Sequence, residues 1–368
     1  MNFKRMPIEI ESPEQMGYAS IKYNLTESSY SDQDLSKFNF DIKDLLLCYG
    51  DHVGHPGLRK LIAEDAGLKA EHILLTPGAA GALFFIATSL LKAGDHILVE
   101  HPNYATNIET PRSIGAEVEF IPLKIENSFA PNLEWILSRI KKNTKLVSLT
   151  FPHNPTGTQV SEAEFKNIVK SITDRGVYLL VDETYRDMAF EAKLPVAATL
   201  SDKAISVSSL SKTYGLPGLR MGWMMSQDAA LQEKCLAAKE QIVITGSIVD
   251  EELSYRFYRD RSRWLPEIKK DILAKRKIYN DWLTSETRME GVTPVAGVVG
   301  FPRIKNISQD KIEVFYKTLN NEFGTFVGPG HWFEIDKCYM RIGYGWPSLP
   351  DLKTGLMTIS QALDITLK

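Results

Sequence analysis

The chain has 368 residues, 43% of them hydrophobic, and its 43 Lys plus Arg against 46 Asp plus Glu leave a net charge of −3. That balance offers no electrostatic footprint for nucleic acid or for an anionic membrane surface. The longest mainly apolar stretch, Gly81 to Leu91, is too short for the ~18–20 residues of a membrane span, and MNFKRMPIEI lacks the apolar centre of a signal peptide. Three cysteines, Cys48, Cys235 and Cys338, are odd in number and far apart, which suits a reducing cytoplasm rather than a disulfide framework.

In chain order, residues 1–45 carry ESPEQ and TESSYSDQD, are polar and aperiodic, and read as an arm that also forms part of a small domain. Residues 46–265 read as a large α/β domain. Seven segments there are strand-like: HILLT, DHILVE, AEVEFIPL, KLVSLTF, VYLLVDE, KAISVSS and RMGWMMS. Helical periods separate several of them, among them AGALFFIATSLLKAG and SEAEFKNIVKSITDRG. In the second, Ser161 is the expected N-cap, Glu164 its capping-box partner and Gly176 the stop. Such alternation predicts a mostly parallel sheet flanked by helices. Asp250 to Glu286 reads as one or two charged helices. Its RFYRDRSRW cluster is better explained as a solvated face than as a nucleic-acid patch, because acidic residues interleave with it. Residues 266–368 read as a small C-terminal α+β domain with strands in GVVGFPRI and CYMRIGYG.

Five of the strands end alike, in apolar residues followed by a polar or glycine-bearing segment: LLT-PGAAG, ILVE-HPNY, VSLTF-PHNPTG, LLV-DETY and SVSSL-SKTYG. In an open α/β sheet, ligands sit beyond the carboxyl ends of the strands, so Gly78, Tyr104, Asn154, Asp182, Tyr185 and Lys212 should converge. A lysine in a packed interior can lose its proton and form a Schiff base with a carbonyl. An aspartate at a strand end can hold a ring nitrogen protonated, which turns a pyridine into an electron sink. Tyr185 and Asn154 could hydrogen-bond a ring oxygen, and Tyr104 could lie flat on the ring. Ser209, Ser211 and Arg220, with the amides after Gly78, are phosphate donors. These are the parts that pyridoxal phosphate requires.

The motifs YGDHVGHPGLR, TPGAAGAL, HPNY, FPHNPTG, VDETY, SLSKTYGLPGLRMGW and YMRIGYG occur in order from residue 49 to 345. In this the chain resembles the class I/II aminotransferases of the fold-type I pyridoxal-phosphate family, the aspartate-aminotransferase-like group. The resemblance implies that Lys212 is the Schiff-base lysine and carries the proton between the substrate Cα and C4′ of the cofactor. It implies that Asp182 pairs with the ring nitrogen, that Tyr185 and Asn154 bind the ring oxygen, and that Tyr104 stacks on the ring. Ala79, Ala80, Ser209 and Arg220 would hold the phosphate, and Arg341 the substrate α-carboxylate. Tyr49, and with it Ser247, would reach the phosphate of a neighbouring subunit, since such enzymes are usually homodimers. Two departures stand out. The arm segment YNLTESSYSD lacks the glycine that commonly contacts substrate, and Val243 stands where dicarboxylate-specific members carry an arginine, which counts against aspartate or glutamate as the main donor.

Taken singly, these residues have plainer readings: Lys212 as a solvated lysine, Asp182 as a helix cap, Tyr104 and Tyr49 as packing groups, Arg341 as a salt-bridge partner. His52 and His55 are separated by Gly54 and followed by Pro56, so no metal site is expected. His153 is better explained as a structural histidine than as an acid–base group. The leading expectation is amino transfer between a small α-amino acid and a 2-oxo acid. A lyase, decarboxylase or cyclising synthase would use the same residues and differ in which bond to Cα breaks. A cofactor-sensing DNA-binding regulator would need a helix-turn-helix, which residues 1–45 do not suggest.

Overall fold

The computed structural model describes residues 1–38 and 40–367. Thirteen strands occur in chain order among them. The first, β1 (Tyr23–Leu25), belongs to the arm. Seven follow: β2 (Ile73–Pro77), β3 (His96–His101), β4 (Glu117–Pro122), β5 (Thr144–Thr150), β6 (Tyr178–Asp182), β7 (Ala204–Ser209) and β8 (Met221–Met225). The last five are β9 (Met289–Glu290), β10 (Val299–Gly300), β11 (Arg303–Ile304), β12 (Thr325–Pro329) and β13 (Met340–Gly343).

The seven predicted strands form one sheet of order β2-β8-β7-β6-β5-β3-β4. All neighbours are parallel except β8, which runs antiparallel to both β2 and β7. Strand alternation splits the apolar side chains between two layers. Leu98, Val147, Leu149 and Val181 face Phe165, Ile168, Val169 and Ile172, whereas Ile97, Val99, Leu146 and Leu180 face Phe85 and Ile86. Both faces are therefore covered, which is why the central strands read as near-continuous apolar runs.

The helices that cover the sheet are Gly78–Leu90, Ala105–Ile114 and Glu162–Thr173. The last carries the expected capping box: Glu164 N donates to Ser161 Oγ at 3.3 Å and Ser161 N to Glu164 Oε2 at 2.9 Å. Gly176 takes φ +76° just beyond it. The charged stretch forms two helices, Ile248–Arg259 and Leu265–Ser285. Its arginines are engaged within the chain: Arg256 pairs with Glu252, and Arg261 pairs with Asp65 and lies 4.0 Å over the Tyr258 ring.

A second sheet, β1-β12-β13-β10, combines the two ends of the chain. In it β1 runs parallel to β12 with Tyr23 opposite Thr325, while β9 and β11 pair separately with each other. A three-residue strand is too short to show a period, and its partner lies some 300 residues away. No helix among the described residues is long and apolar enough to cross a membrane.

Candidate active site

Sheet topology alone gathers the sequence motifs. The parallel strands β3, β5, β6 and β7 present their carboxyl ends at one edge, placing Asp182 at the end of β6 and Tyr104, Asn154 and Lys212 just beyond the others. Because β8 is reversed, its start lies at this edge, and Arg220 immediately precedes it. Register fixes the approach: Ser209 is opposite Gly222, and Pro77 opposite Met221.

Glycine is required at that crossing. A Cβ on Gly222 would lie 2.3 Å from the carbonyl carbon of Gly78 and 2.5 Å from the amide nitrogen of Ala79. Gly78 has φ +71°, and a Cβ there would come within 2.7 Å of Arg220 Nη2. The first turn of the helix Gly78–Leu90 thus lies against the Arg220 guanidinium. Free helix-start amides and a guanidinium at one spot make an anion-binding corner.

In front of this edge is a cavity of about 320 Å³. Ala79, Ala80, Ser209 and Arg220 line one part of it, and Tyr104, Asn154, Asp182 and Tyr185 another. Lys212 and Arg341 complete the expected set, with Gly78 behind the wall at the helix start. Tyr49 and Ser247 are not there. They share a separate shallow groove with Cys48 and Thr245, Tyr49 being 80% exposed, and Ser247 Oγ accepts from Asp250 N at 3.3 Å as the cap of its helix.

Lys212 has no side-chain hydrogen bond or ion pair with a described residue. Burial lowers its pKa, while Glu27 opposes that shift and Arg341 reinforces it. Burial likewise raises Asp182, against hydrogen bonds to its Oδ1 from Thr184 N at 3.0 Å and Oγ1 at 2.6 Å. Arg341 is 4% exposed and donates from Nη1 to Asn154 Oδ1 at 3.3 Å and from Nη2 to the Thr26 carbonyl at 2.8 Å; its Nε has no hydrogen-bond partner among the described residues. A buried guanidinium with an unsatisfied donor is costly without an anionic ligand. The Tyr185 hydroxyl donates to the Ser28 carbonyl at 2.5 Å.

His153 is buried, its Nδ1 meets Thr156 Oγ1 at 2.8 Å, its Nε2 lies 3.9 Å from Glu100, and burial lowers its pKa to about 3. His55 caps the helix Pro56–Ala66 through Leu58 N at 3.1 Å, and His52 lies 2.5 Å from Glu240. Among the described residues, no three potential metal ligands cluster, and all three cysteines are free. The arm supplies cavity residues that no motif announced, chiefly Glu14, Thr26, Glu27 and Ser28. The acidic composition of residues 9–34 is the one signal of them in the sequence, and it carries no position.

A sheet of this topology, with a partnerless lysine, a buried aspartate and an anion corner at its carboxyl edge, defines a pyridoxal-phosphate-dependent enzyme fold. The model of the family described as aminotransferase class I and II matches residues 23–351, and the chain belongs to that family. It is similar to an aspartate aminotransferase of Pyrococcus horikoshii, at 26% identity over 86% of this chain and 83% of that one. It is also similar to a capreomycidine synthase of Streptomyces vinaceus, at 28% identity over 88% and 82%. A solved PLP-dependent aminotransferase from Streptococcus suis superposes with a TM-score of 0.91 at 28% identity, covering all of both chains. The protein is therefore an enzyme of the pyridoxal-phosphate-dependent aminotransferase type. Its cavity fits that cofactor: a free amine for the aldehyde, a buried carboxylate for the ring nitrogen, and a corner of donors for the phosphate.

Proposed function

We propose that the enzyme moves an amino group between a small α-amino acid and a 2-oxo acid, with Lys212 as the reacting amine. The observation that carries this is the single cavity shared by Lys212, Asp182 and Arg341. Bound there, pyridoxal phosphate supplies an electrophilic aldehyde and an electron-withdrawing ring. Asp182 would hold the ring nitrogen, Asn154 and Tyr185 the ring oxygen, and Tyr104 the ring face. Ala79, Ala80, Ser209 and Arg220 would hold the phosphate. Arg341 binds the substrate α-carboxylate with a planar fork that a lysine could not offer. The Lys212 amine, neutral at lower pH than an exposed lysine because of its burial, would take the proton from the substrate Cα and deliver it to the cofactor carbon that carried the aldehyde, and would run the same transfer in reverse for the 2-oxo acid.

A second reading, a cyclising synthase, is supported by the likeness to the Streptomyces enzyme; a lyase or decarboxylase would share the same groups. Purified enzyme and a panel of amino acids separate these readings. Transamination converts the bound cofactor to its amine form and releases a 2-oxo acid. Ammonia, carbon dioxide or a cyclised product without that conversion would favour the alternatives.

The same reading divides the chain into an arm to residue 45, a large domain to 265 and a small domain beyond, working as a homodimer in the cytoplasm. Exposed Leu46, Leu47, Tyr49, Ile242 and Ile244 support a partner surface beside Ser247. A second copy would bring Tyr49 and Ser247 to its neighbour's phosphate corner. Light scattering that returned the mass of one chain would count against it.

A further inference from the structure

The cofactor-holding residues account for one wall of the cavity. The opposite wall comes from the arm, and its chemistry points to the substrate side chain. Glu27 follows β1, is half-buried, and accepts from the Tyr18 hydroxyl at 3.0 Å. It pairs with no cation within 4.0 Å among the described residues, yet lies close enough to Lys212 and Arg341 that both lower its pKa. Burial, with Glu14 beside it, nevertheless raises that pKa overall.

Beside the first cavity lies a second, of about 590 Å³. Glu14, Glu27 and Lys212 line both, so they mark the boundary. Arg341 lines only the first, and Asp32 only the second. Apolar side chains such as Phe38, Phe40, Leu253 and Phe257 make much of the second chamber. Three carboxylates also line it, Glu27 half-buried and Glu14 and Asp32 exposed, and among the described residues Lys212, the reacting amine, is its only cation. Asp32 is held by Trp346 Nε1 at 3.0 Å, and Trp346 stacks on Tyr18 at 6.0 Å.

This sets a polarity that rests on the reading given under Proposed function. With its α-carboxylate at Arg341 and its Cα at Lys212, an amino acid would extend its side chain past Glu27 and Glu14 toward Asp32. An aliphatic side chain would desolvate Glu27 further and leave the Tyr18 hydroxyl as its one hydrogen-bond donor among the described residues, and a second carboxylate would be repelled. A terminal cation would satisfy it, and a planar guanidinium could also lie against the Tyr18 ring. We propose that the enzyme selects amino donors whose side chain ends in a guanidinium or ammonium group, with Glu27 as the specificity-determining carboxylate and Glu14 and Asp32 extending its field.

The test uses holoenzyme and donors matched in shape but not in charge: arginine against citrulline, and ornithine against norleucine. Conversion of the bound cofactor, followed spectroscopically, should favour the cation in each pair by about tenfold or more in kcat/KM, the scale of a charge-assisted contact. Calorimetric binding of α-methylornithine and α-methylnorleucine, which lack the Cα hydrogen, should show the same preference without turnover. Glu27→Gln, which keeps the shape and an acceptor for Tyr18, should bring both ratios toward one. If citrulline and norleucine match or exceed their charged partners, or if the ratios survive Glu27→Gln, the selectivity is wrong while amino transfer stands. If these four leave the cofactor spectrum unchanged while other amino acids in a broad panel convert it, the selectivity alone is wrong; if no amino acid in that panel changes it, both readings fall.

Discussion

The two walls of the cavity are made in opposite ways. The sheet wall hangs on strand ends: Asp182 and Ser209 close β6 and β7, Asn154 and Lys212 lie a few residues beyond β5 and β7, and Arg220 stands just before the reversed β8, so strand register sets their places. The arm wall hangs on contacts across the chain. Thr26 offers its carbonyl to Arg341, Ser28 to Tyr185, and the Ser31 hydroxyl donates to the Trp346 carbonyl at 2.8 Å. Rigid, locally encoded positions suit the groups that must hold a cofactor and handle a proton. A wall assembled from short elements can change its side chains without disturbing that machinery, so it is the natural place for substrate choice.

The comparison is tested most severely at Lys212. Lys212→Ala removes the one lysine that lines the cavity among the described residues, the amine proposed to act at Cα, and turnover should fall by about four orders of magnitude or more. Borohydride reduction and digestion should recover a pyridoxyl group on Lys212 in the native protein and none in the variant. A variant retaining native turnover would remove the sheet wall from catalysis altogether.

The next effect is mechanical. Gly222→Ala would drive a methyl into the backbone of Gly78 and Ala79, with contacts of 2.3 and 2.5 Å that no side-chain rotation relieves. Such overpacking against backbone costs ~2–4 kcal/mol, read as a lower denaturation midpoint together with weaker cofactor binding. A change in stability with cofactor affinity untouched would show that the helix start is not part of the anion corner.

The same asymmetry decides which parts of the fold and site are legible in the sequence. The seven strands, the capping box at Ser161 and the cluster of Asp182, Lys212 and Arg220 are legible because each depends on residues within a strand, a turn or a helix of itself. Arg341 needs its motif, since nothing local ties YMRIGYG to a site. Glu27 and Glu14 escape notice because their placement depends on β1 pairing with β12 and on Tyr18 meeting Trp346, contacts that span most of the chain. Tyr49 and Ser247 are legible as a pair and do sit together, but outside the cavity of their own chain.

Beneath the sheet wall, the neighbour of Asp182 offers a smaller effect. Glu183 accepts from Ala197 N at 2.7 Å and Ser206 Oγ at 2.6 Å, while its other oxygen accepts no hydrogen bond from a described residue and has Arg186 Nε 3.9 Å away; burial, opposed by Arg186, raises its pKa to about 7. Between about 4.5 and 7 the folded chain therefore holds a proton that the unfolded chain has released. Its contribution to stability is full below that window and is lost as pH rises through it, by ~1–3 kcal/mol. Glu183→Gln keeps one acceptor for both donors and should flatten this part of the stability–pH curve. An unchanged slope would mean that Glu183 is ionised in the fold.

The smallest effect separates the walls directly. Trp346→Phe keeps an aromatic surface under Tyr18 but removes the indole N–H that holds Asp32 at 3.0 Å, on the exposed side of the molecule. A hydrogen bond to a carboxylate in that setting is worth ~1 kcal/mol or less, too little to move the unfolding midpoint far. Its loss should appear as local opening. Amide exchange should quicken several-fold across residues 18–33, while β5 and β6, buried on both faces, keep their protection. The selectivity between arginine and citrulline should weaken in the same variant, because Asp32 would no longer be fixed at the end of the second chamber. Equal acceleration in β6 would show that arm and sheet open as one unit, and the division of labour between the two walls would fail on mechanical grounds.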